Sequence, residues 1–363
     1  MNDINTNKKA LIAMSGGVDS SVAAYAMQEA GFDCLGCTMK LTNRLNNLAL
    51  DDSNSCVTDD NIRDARAVCD RLNIDHYVAD FSDNFKEKVV DYFVGCYECG
   101  ITPNPCIECN RYLKFEKLFE KAEELGCEYV VTGHYAVVTY DEKSGRYLLQ
   151  KGSDTSKDQS YFLYKLTQEQ LAHVKLPLAE LSKDKTRQIA ESQGLATAEK
   201  KDSQDICFVA NGKYVEFIES YTGKEYPEGD FIDINGKVLG RHKGIIRYTI
   251  GQRKGLGIAL NEPMYVKEVN VDNNTVMLAR DEELYSSELI AKDINLISVE
   301  KIAEPMEVMA KIRYRHNPAQ ATVTQISENE IKVVFKEPQR AITRGQAVVL
   351  YDGDTVVGGG TIC

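Results

Sequence analysis

Alternation between short apolar runs and amphipathic segments dominates the first 210 residues. The apolar runs predict short buried strands at 9–14, 34–39, 76–79 and 129–132. Apolar residues at helical spacing predict helices at 20–30, 59–72, 84–94 and 112–125. Strands that alternate with helices in this way predict right-handed crossovers and a doubly wound parallel α/β sheet.

The pattern changes after about residue 210. One more helix is predicted at 214–221, and Gly and β-forming residues then alternate with period two at 231–258 and 264–278. From residue 287 nearly every segment predicts a short strand, for example 332–335 and 347–351. We therefore predict an α/β domain at 1–210, a small central domain at 211–286, and a C-terminal β-barrel-like domain at 287–363.

Composition indicates a soluble globular protein, with 43% hydrophobic and 27% charged residues among 363. No apolar run is long enough to cross a bilayer, and the polar first nine residues do not form a signal peptide. We therefore expect a cytoplasmic protein with no membrane partner. The net charge of -12 argues against non-specific polyanion binding by the whole surface. A local basic segment can still bind nucleic acid.

A phosphate-binding loop is predicted directly after the first strand, in the sequence Ser15-Gly16-Gly17-Val18-Asp19-Ser20-Ser21. Glycines let the backbone approach an anion, and a helix start supplies unpaired amides and a favourable dipole. Asp19 stands where a Walker loop carries Lys, so γ-phosphoryl transfer of the Walker type is not expected. An ordinary helix cap after a glycine turn is the alternative. The heptad resembles the PP-loop ATPase superfamily, whose members cleave ATP between the α- and β-phosphates and adenylate a substrate oxygen.

Eleven cysteines in a reducing compartment are better candidates for catalysis or metal binding than for disulfides. Cys96-x-x-Cys99 and Cys106-x-x-Cys109 flank a proline-containing turn, and Cys207 lies further along the chain. A helix starting at residue 112 would place Cys109 near its N-terminus, where a thiolate is stabilised. The four clustered cysteines could instead bind zinc, although their six-residue spacer is short. We expect the other six to be ordinary and mostly buried: Cys34, Cys37, Cys56, Cys69, Cys127 and Cys363.

A basic segment at 236–258 contains no acidic residue. It carries Lys237, Arg241, His242, Lys243, Arg247, Arg253 and Lys254. Such a segment is a candidate contact for a phosphate backbone, and a solvated charged face is the alternative. A weaker cluster comprises Lys311, Arg313, Arg315 and His316.

Six ordered motifs resemble the MnmA family of bacterial tRNA-specific 2-thiouridylases over nearly the whole chain. They are the phosphate loop, TPNP-x3-CNR-x2-KF at 102–115, TGHY at 132–135, KDQSY at 157–161, ICF at 206–208 and YTIGQRKGLG at 248–257. The resemblance implies ATP-dependent 2-thiolation of the wobble uridine, position 34, of tRNA. The C2 oxygen would be adenylated and then replaced by sulfur, with release of AMP and pyrophosphate.

The same resemblance implies residue roles and partners. Cys109 takes the nucleophile position and Cys207 the persulfide-carrying position. Contacts to ATP, with Mg²⁺, are implied for Ala13, Met14, Ser15, Gly16, Gly17, Val18, Asp19, Ser20, Met39 and Gly133. The target-base positions are Asn104, Pro105 and Cys106, and the tRNA contacts are His134, Lys157, Asp158, Gln159, Arg313, Tyr314 and Gln346. The implied partners are tRNAs for lysine, glutamate and glutamine, and a sulfur donor, which is a cysteine desulfurase, a relay protein or inorganic sulfide.

Cys106 departs from the family pattern, because many members carry Asp at this position. Cys106, Cys109 and Cys207 together match the ligand set of iron–sulfur tRNA thiolation enzymes in the same superfamily. Three thiolates could hold a 4Fe-4S cluster and leave one iron open to bind sulfide. A cluster and a persulfide relay are therefore both open, since two thiols also suffice if one delivers sulfur and the other breaks the sulfur–sulfur bond.

Three other functions compete with tRNA 2-thiolation. A small-molecule adenylating synthetase of the GMP synthetase type would need a glutaminase-like half, and this sequence shows none. A non-catalytic RNA-binding or metal-binding module would not need the phosphate loop. A tRNA thiolase with a different target base is a closer alternative, against which the two C-terminal domains argue.

Overall fold

A computed structural model describes residues 8–42, 59–200, 206–209 and 212–363. The chain forms two compact units. The first comprises Met1–Val89, Cys106–Gly212 and Asp354–Val356, and the second comprises Val90–Pro105, Lys213–Gly353 and Val357–Cys363.

The first unit contains a five-stranded parallel sheet in the order β3-β2-β1-β4-β7. Its strands are β1 Lys9–Ala13, β2 Asp33–Lys40, β3 His76–Asp80, β4 Tyr129–Val131 and β7 Val174–Lys175. The centre of β1 is apolar and fully buried on both faces, as expected for a parallel sheet covered by helices. The predicted doubly wound α/β fold is confirmed.

Helices pack on both faces of this sheet. Ile12 and Val131 belong to one core cluster with α1 and α2, whereas Leu11 and Val130 belong to a second cluster with α6. Because successive strand residues point to opposite faces, one short strand contributes to both cores. The helices of the first unit are α1 Val18–Glu29, α2 Asp59–Leu72, α3 Ser82–Phe85, α5 Pro105–Glu108, α6 Leu118–Glu124, α7 Ser160–Leu163, α8 Gln168–His173 and α9 Lys183–Ser192, whereas α4 Tyr92–Glu98 belongs to the second unit.

Two of the predicted helices are longer than expected and contain π-helical turns. Lys86–Asp91 is π-helical and connects α3 with α4, while Cys109–Lys117 is π-helical and connects α5 with α6. The second run therefore begins at Pro105, not at residue 112 as predicted. Proline suits the first position of a helix because its missing amide hydrogen would have no intrahelical partner there.

An antiparallel hairpin interrupts the predicted alternation of strands and helices. It consists of β5 Ala136–Asp141 and β6 Arg146–Lys151. Its turn is fixed by Asp141, whose carboxylate accepts hydrogen bonds from the amides of Lys143 and Ser144, and Gly145 adopts a φ of 67°. Such an Asx turn is a local feature that the periodicity of apolar residues does not reveal.

The second unit contains helix α10 Tyr214–Thr222 and two sheets. The first sheet has the order β10-β11-β8-β9, built from β8 Gly229–Ile232, β9 Val238–His242, β10 Tyr265–Asn270 and β11 Thr275–Ala279. The strands predicted at 231–258 are therefore too long. Residues 243–258 instead form turns and a short 3-10 helix, Ile245–Arg247, with positive φ at Gly244, Gly251, Gly255 and Gly257.

The C-terminal part of the second unit is a closed β-barrel, as predicted. Strand β12 pairs with both β15 and β17, which closes a ring in the order β12-β15-β14-β13-β16-β17. The barrel interior is apolar, with Ala291, Val323, Val333 and Leu350 fully buried. Its strands are β12 Tyr285–Leu296, β13 Met306–Lys311, β14 Ala319–Ser327, β15 Glu330–Arg340, β16 Ala347–Asp352 and β17 Thr355–Ile362. Across the described residues, no helix combines the length and apolar character that a membrane span requires.

Candidate active site

The predicted phosphate loop lies at the carboxyl edge of the parallel sheet. It connects β1 to α1, whose first residue is Val18 rather than the predicted Ser20. Met39 lies near the end of the neighbouring strand β2, and Gly133 follows β4 on the other side of β1. In open α/β sheets, ligands bind outside the carboxyl ends of strands where the connections diverge. The structure thus brings the predicted ATP residues to one edge.

Hydrogen bonds within the loop hold its shape. The amide and the hydroxyl of Ser15 both donate to Ser20 Oγ at 3.2 Å, and Ser20 Oγ donates to the Gly17 carbonyl at 3.0 Å. Gly16 has a φ of 68°, which favours glycine. In the part of the chain that the structure describes, no side chain caps the start of α1. A helix start of this kind can bind an anion.

Gly133 is required by a close approach of two backbones. A Cβ atom at this position would lie 2.8 Å from the carbonyl carbon of Asp19 and 2.9 Å from the amide nitrogen of Ser20. Both are backbone atoms of the phosphate loop and the start of α1, which cannot move aside cheaply. The TGHY segment therefore fixes the position of the loop by direct contact.

Asp19 is the centre of a polar network that the sequence motifs did not reveal. Lys183 Nζ lies 2.8 Å from each carboxylate oxygen of Asp19. The Tyr135 hydroxyl donates to Asp19 Oδ1 at 2.8 Å and lies 3.0 Å from Thr186 Oγ1. Lys183 is the first residue of α9, after the N-cap Ser182. That capping signal was visible in the sequence, but the contact joins residues far apart in the chain.

A second connection to the loop comes from the segment that precedes Cys207. Lys200 Nζ donates to the Gly16 carbonyl and to Asn61 Oδ1, each at 2.9 Å, and forms an ion pair with Asp64. Thr197 Oγ1 donates to Ser21 Oγ at 2.8 Å. These residues were also absent from the sequence prediction, because no local pattern distinguishes Lys200 from other surface lysines.

Cys109 lies inside the helical run that begins at Pro105, rather than in front of a helix as predicted. It is half-buried and begins the π-helical stretch. The next residue, Asn110, is buried, and its side-chain amide donates to the Phe162 carbonyl at 3.2 Å. This bond fixes the rotation of the helix about its axis. Stretches of π-helix occur frequently at functional sites.

Cys207 is half-buried in a turn closed by a hydrogen bond from the Val209 amide to the Ile206 carbonyl at 2.9 Å. The neighbouring Phe208 is buried and packs edge-to-face on Phe85 with ring centroids 5.6 Å apart. Cys109 and Cys207 both belong to the first compact unit.

A metal site is not formed by these cysteines as they are placed. Within the described residues, no three His, Cys, Asp or Glu side chains are arranged to hold a metal ion. The donor sets suggested for a 4Fe-4S cluster and for zinc therefore do not fit this arrangement. Cys96 and Cys99 lie on and just after α4 in the second unit, whereas Cys106 and Cys109 belong to the first.

The cysteines expected to be ordinary are mostly buried. Burial raises the pKa of the Cys34 and Cys37 thiols to about 11 and that of Cys69 to about 12. Burial also raises the pKa of Cys127. These thiols are unreactive at neutral pH because the thiolate is the nucleophile. Cys363 is exposed, and Cys56 lies outside the described residues.

His134 is buried, with 8% of its surface exposed. Its Nδ1 lies 2.7 Å from Thr132 Oγ1, and its Nε2 lies 3.5 Å from Lys114 Nζ. Burial, together with the charge of Lys114, holds the pKa of His134 well below its ordinary value. The ring is therefore neutral at physiological pH, and its contact with tRNA stays a prediction.

The predicted tRNA segment 157–159 is half-buried at its first and last residues and buried at Asp158. Asp158 accepts hydrogen bonds from the amides of Gly152 and Ser160, at 3.3 Å and 3.1 Å. Gln159 accepts a hydrogen bond from the Tyr135 amide at 3.0 Å. The segment is thus joined to Tyr135, which itself contacts Asp19.

Asn104 and Pro105 follow a loop that is anchored on the barrel. Gln346 donates from its side-chain amide to the carbonyls of Thr102 and Pro103, at 3.0 Å and 3.2 Å. The Thr102 amide in turn donates to the Arg344 carbonyl at 3.0 Å. Gln346, predicted to contact tRNA, therefore holds the loop that precedes the predicted target-base residues.

The basic segment of the second unit lines a cavity of ≈ 670 Å³. Lys243 and Arg247 contribute cations to it, and Gln252 and the glycines of YTIGQRKGLG form much of its wall. Two of the predicted cations are neutralised, since Arg247 pairs with Glu219 at 2.5 Å and Arg241 with Asp230 at 2.8 Å.

Of the predicted tRNA contacts on the barrel, Arg313 donates to the Ala341 carbonyl at 3.4 Å, and the centroid of the Tyr314 ring lies 5.2 Å from Lys311 Nζ.

Comparison with known proteins assigns the family. Residues 8–211 match a family described as the tRNA methyl transferase HUP domain, 215–280 its PRC-barrel domain, and 286–362 the aminomethyltransferase β-barrel domain. A protein of Clostridioides difficile named tRNA-specific 2-thiouridylase MnmA is 51% identical over 356 residues, which cover 98% of each chain. The chain belongs to the MnmA family. An MnmA relative from Acetivibrio thermocellus is 48% identical and covers 98% of this chain and 99% of its own.

Two solved structures are distantly similar to this chain. A 4-thiouridine synthetase in complex with RNA and ATP is 14% identical, covers 61% of this chain and 52% of its own, and has a TM-score of 0.37. An NMN synthetase from Francisella tularensis is 16% identical, covers 61% and 80% of the two chains, and has a TM-score of 0.34.

Proposed function

We propose that this protein is an ATP-dependent tRNA 2-thiouridylase that replaces the C2 oxygen of the wobble uridine with sulfur. The observation that carries the proposal is a phosphate loop at the carboxyl edge of the sheet, in the same compact unit as Cys109 and Cys207. The full-length relatives named 2-thiouridylases support the choice of substrate and of incoming atom.

Adenylation is the first step of the proposed reaction. The uracil oxygen attacks the α-phosphate of ATP, pyrophosphate leaves, and the oxygen becomes part of a good leaving group, AMP. The start of α1 and the glycines of the loop would bind the phosphates through backbone amides. Mg²⁺ would enter bound to the phosphates of ATP. Lys183 would neutralise Asp19 and so reduce its repulsion of the incoming anion.

Sulfur transfer is the second step. The terminal sulfur of a Cys207 persulfide attacks C2 and AMP leaves. The Cys109 thiolate then attacks Cys207 Sγ, and the sulfur–sulfur bond breaks so that the outer sulfur stays on the uridine. The Cys109–Cys207 disulfide that results must be reduced before the next cycle. The proposed sulfur transfer uses no metal cluster, because the described cysteines do not form a metal-binding group.

Partners follow from this chemistry. The substrate would be tRNA whose position 34 is uridine, and we expect the lysine, glutamate and glutamine isoacceptors. The persulfide sulfur would come from a cysteine desulfurase or a relay protein, in the cytoplasm. The proposed tRNA-facing elements are Lys157, Asp158, Gln159, Arg313 and Tyr314, together with the cavity of the second unit. Gln346 would act through the loop that it holds at Thr102 and Pro103.

The test is incubation with ATP, a persulfide donor and unmodified tRNA, followed by mass spectrometry of nucleosides. We expect AMP, pyrophosphate and 2-thiouridine. Formation of ADP and phosphate would reject adenylation, and a methylated nucleoside would favour the activity that the family description names. A small-molecule synthetase would form AMP without any change in tRNA.

Cysteine variants test the sulfur step. Cys109→Ala and Cys207→Ala should each abolish 2-thiouridine formation while ATP binding persists, because neither thiol lies in the phosphate loop. The buried Cys69→Ala variant is a control that keeps activity if it folds. Normal thiolation by either catalytic variant would refute the assignment. Iron and acid-labile sulfide that co-purify anaerobically and are lost in Cys106→Ala would favour a cluster.

A further inference from the structure

Cys106 and Cys109 lie on the same face of the helical run that begins at Pro105. They are three residues apart, a spacing at which helical side chains are neighbours. Cys106 is exposed and Cys109 is half-buried, whereas Ile107 and Asn110 between and beside them are buried. The pair therefore has an outer sulfur that solvent reaches and an inner sulfur that the protein partly covers.

The backbone suits a disulfide between these two residues. Ideal helix geometry separates Cα atoms three residues apart by about 5 Å. That distance lies inside the window of roughly 4.4–6.8 Å that disulfides occupy. The first turn of a helix is also the place where small backbone adjustments cost least, because its amides lack intrahelical partners.

Cys106 is exposed and lies close to the start of a helix. It is the second residue of a helical run that continues to Glu124. Its exposure lets an external reductant reach it.

We propose that Cys106 is a resolving thiol that frees Cys207 after each sulfur transfer; this inference rests on the proposed function. The persulfide sulfur enters at oxidation level zero and leaves in 2-thiouridine at the sulfide level, so two electrons come from Cys109 and Cys207. The Cys106 thiolate then attacks Cys109 Sγ. The Cys109–Cys207 bond breaks, Cys207 leaves as a thiolate, and Cys106 and Cys109 form a disulfide.

The exchange separates two tasks. Cys207 regains a thiol that can accept the next sulfur, and the oxidising equivalents are held by the CxxC pair. A dithiol reductant then attacks the exposed Cys106 sulfur, and both thiols return with two protons and two electrons from that reductant. The half-buried Cys109 is shielded from direct attack.

A single-turnover experiment tests the exchange. The protein is loaded with persulfide by a cysteine desulfurase and cysteine, desalted, mixed with ATP and unmodified tRNA without reductant, and quenched in acidic N-ethylmaleimide. Non-reducing peptide mapping should then find 2-thiouridine, a Cys106–Cys109 disulfide and alkylated Cys207. Cys106→Ser should instead accumulate the Cys109–Cys207 disulfide, and its turnover with a dithiol reductant should fall by roughly tenfold.

Cys363→Ser removes another exposed thiol and is the matched control, expected to behave as the unaltered protein. A Cys109–Cys207 disulfide together with alkylated Cys106 in the unaltered protein would overturn the proposal, as would 2-thiouridine formed with no disulfide among the three cysteines. Absence of 2-thiouridine would overturn the proposed function as well. A redox titration without tRNA separates these failures, because the Cys106–Cys109 disulfide should form in it regardless of thiolation.

Discussion

Lys183 Nζ lies 2.8 Å from both carboxylate oxygens of Asp19, and this ion pair connects the start of α9 with the phosphate loop. The Lys183 side chain is only 10% exposed and that of Asp19 33%. Tyr135 donates to the same carboxylate, so two separate segments of the first unit contact Asp19. If phosphate binds at this loop, as predicted, the Asp19 carboxylate needs such neutralisation, because an unpaired negative charge would repel the phosphate.

Lys183→Met should therefore weaken ATP binding by roughly tenfold, which corresponds to about 1.4 kcal/mol. The unpaired Asp19 carboxylate would be left next to the incoming phosphates. Calorimetric titration with a non-hydrolysable ATP analogue measures the effect. Asp19→Asn in the same chain should restore part of the affinity, because it removes the unpaired charge.

Lys151→Met is the matched control for charge loss in the same unit. Its partner Asp354 is 79% exposed, and surface pairs of this kind contribute roughly 0–1 kcal/mol. Equal ATP affinities for the Lys183→Met and Lys151→Met variants would contradict a role of Lys183 at the phosphate loop.

Lys200 should contribute to the shape of the loop, because its ammonium group donates to the Gly16 carbonyl. Lys200→Met should leave that carbonyl without its charged donor, at a cost of roughly 1–3 kcal/mol in a partly buried site. We expect a raised KM for ATP in the adenylation half-reaction. Lys121→Met, which breaks an exposed ion pair with Glu124, should leave KM unchanged. The same KM in both variants would exclude the contribution.

Gly133→Ala tests the close approach between the backbone that follows β4 and the backbone of the phosphate loop. The added methyl group would lie 2.8 Å from a backbone atom of Asp19, so the loop must shift. Overpacking of this kind costs roughly 1–3 kcal/mol. We expect a lower melting temperature and little ATP binding. Gly95→Ala is the control, because a Cβ atom at Gly95 would meet open space, and it should be neutral or slightly stabilising. Unchanged ATP affinity in the Gly133→Ala variant would disprove the steric argument.

The sequence predicted four of the five strands of the parallel sheet, because each of them is a short apolar run. It did not predict β7, Val174–Lys175, which is only two residues long. It did not predict the contacts that complete the loop, since Asp19 and Lys183 are 164 residues apart. It also placed the helix start after Cys109, because Ile107 is the only aliphatic residue at 106–111 and one such residue shows no helical spacing. The motif match identified Gln346, but only the fold shows that it binds the loop at Thr102.

His134 should make stability depend on pH. Burial, then Lys114, lowers its pKa in the folded protein, whereas the unfolded chain takes up a proton below about pH 6.5. Because the unfolded state then binds more protons, stability falls as pH decreases below that value. His134→Gln should reduce this loss, as measured by urea unfolding at pH 8 and pH 5.5. His173→Gln is the control, because it alters an exposed histidine, and its stability should depend on pH as that of the unaltered protein does. The same pH dependence in His134→Gln as in the unaltered protein would refute the prediction.

Gln346→Ala should slow thiolation while ATP binding stays intact. The Gln346 side chain donates to two carbonyls of the loop that leads into Asn104 and the helical run beginning at Pro105. Loss of the side chain removes roughly 1 kcal/mol of stabilisation for each hydrogen bond. The loop would then sample other positions, and the target base would be placed less often. We expect a lower kcat for 2-thiouridine formation and an unchanged affinity for the ATP analogue. Gln320→Ala alters an exposed glutamine on β14 and should have no effect. If Gln346→Ala lowered only the affinity for tRNA and left kcat unchanged, Gln346 would act as a direct tRNA contact instead of as a support for the loop.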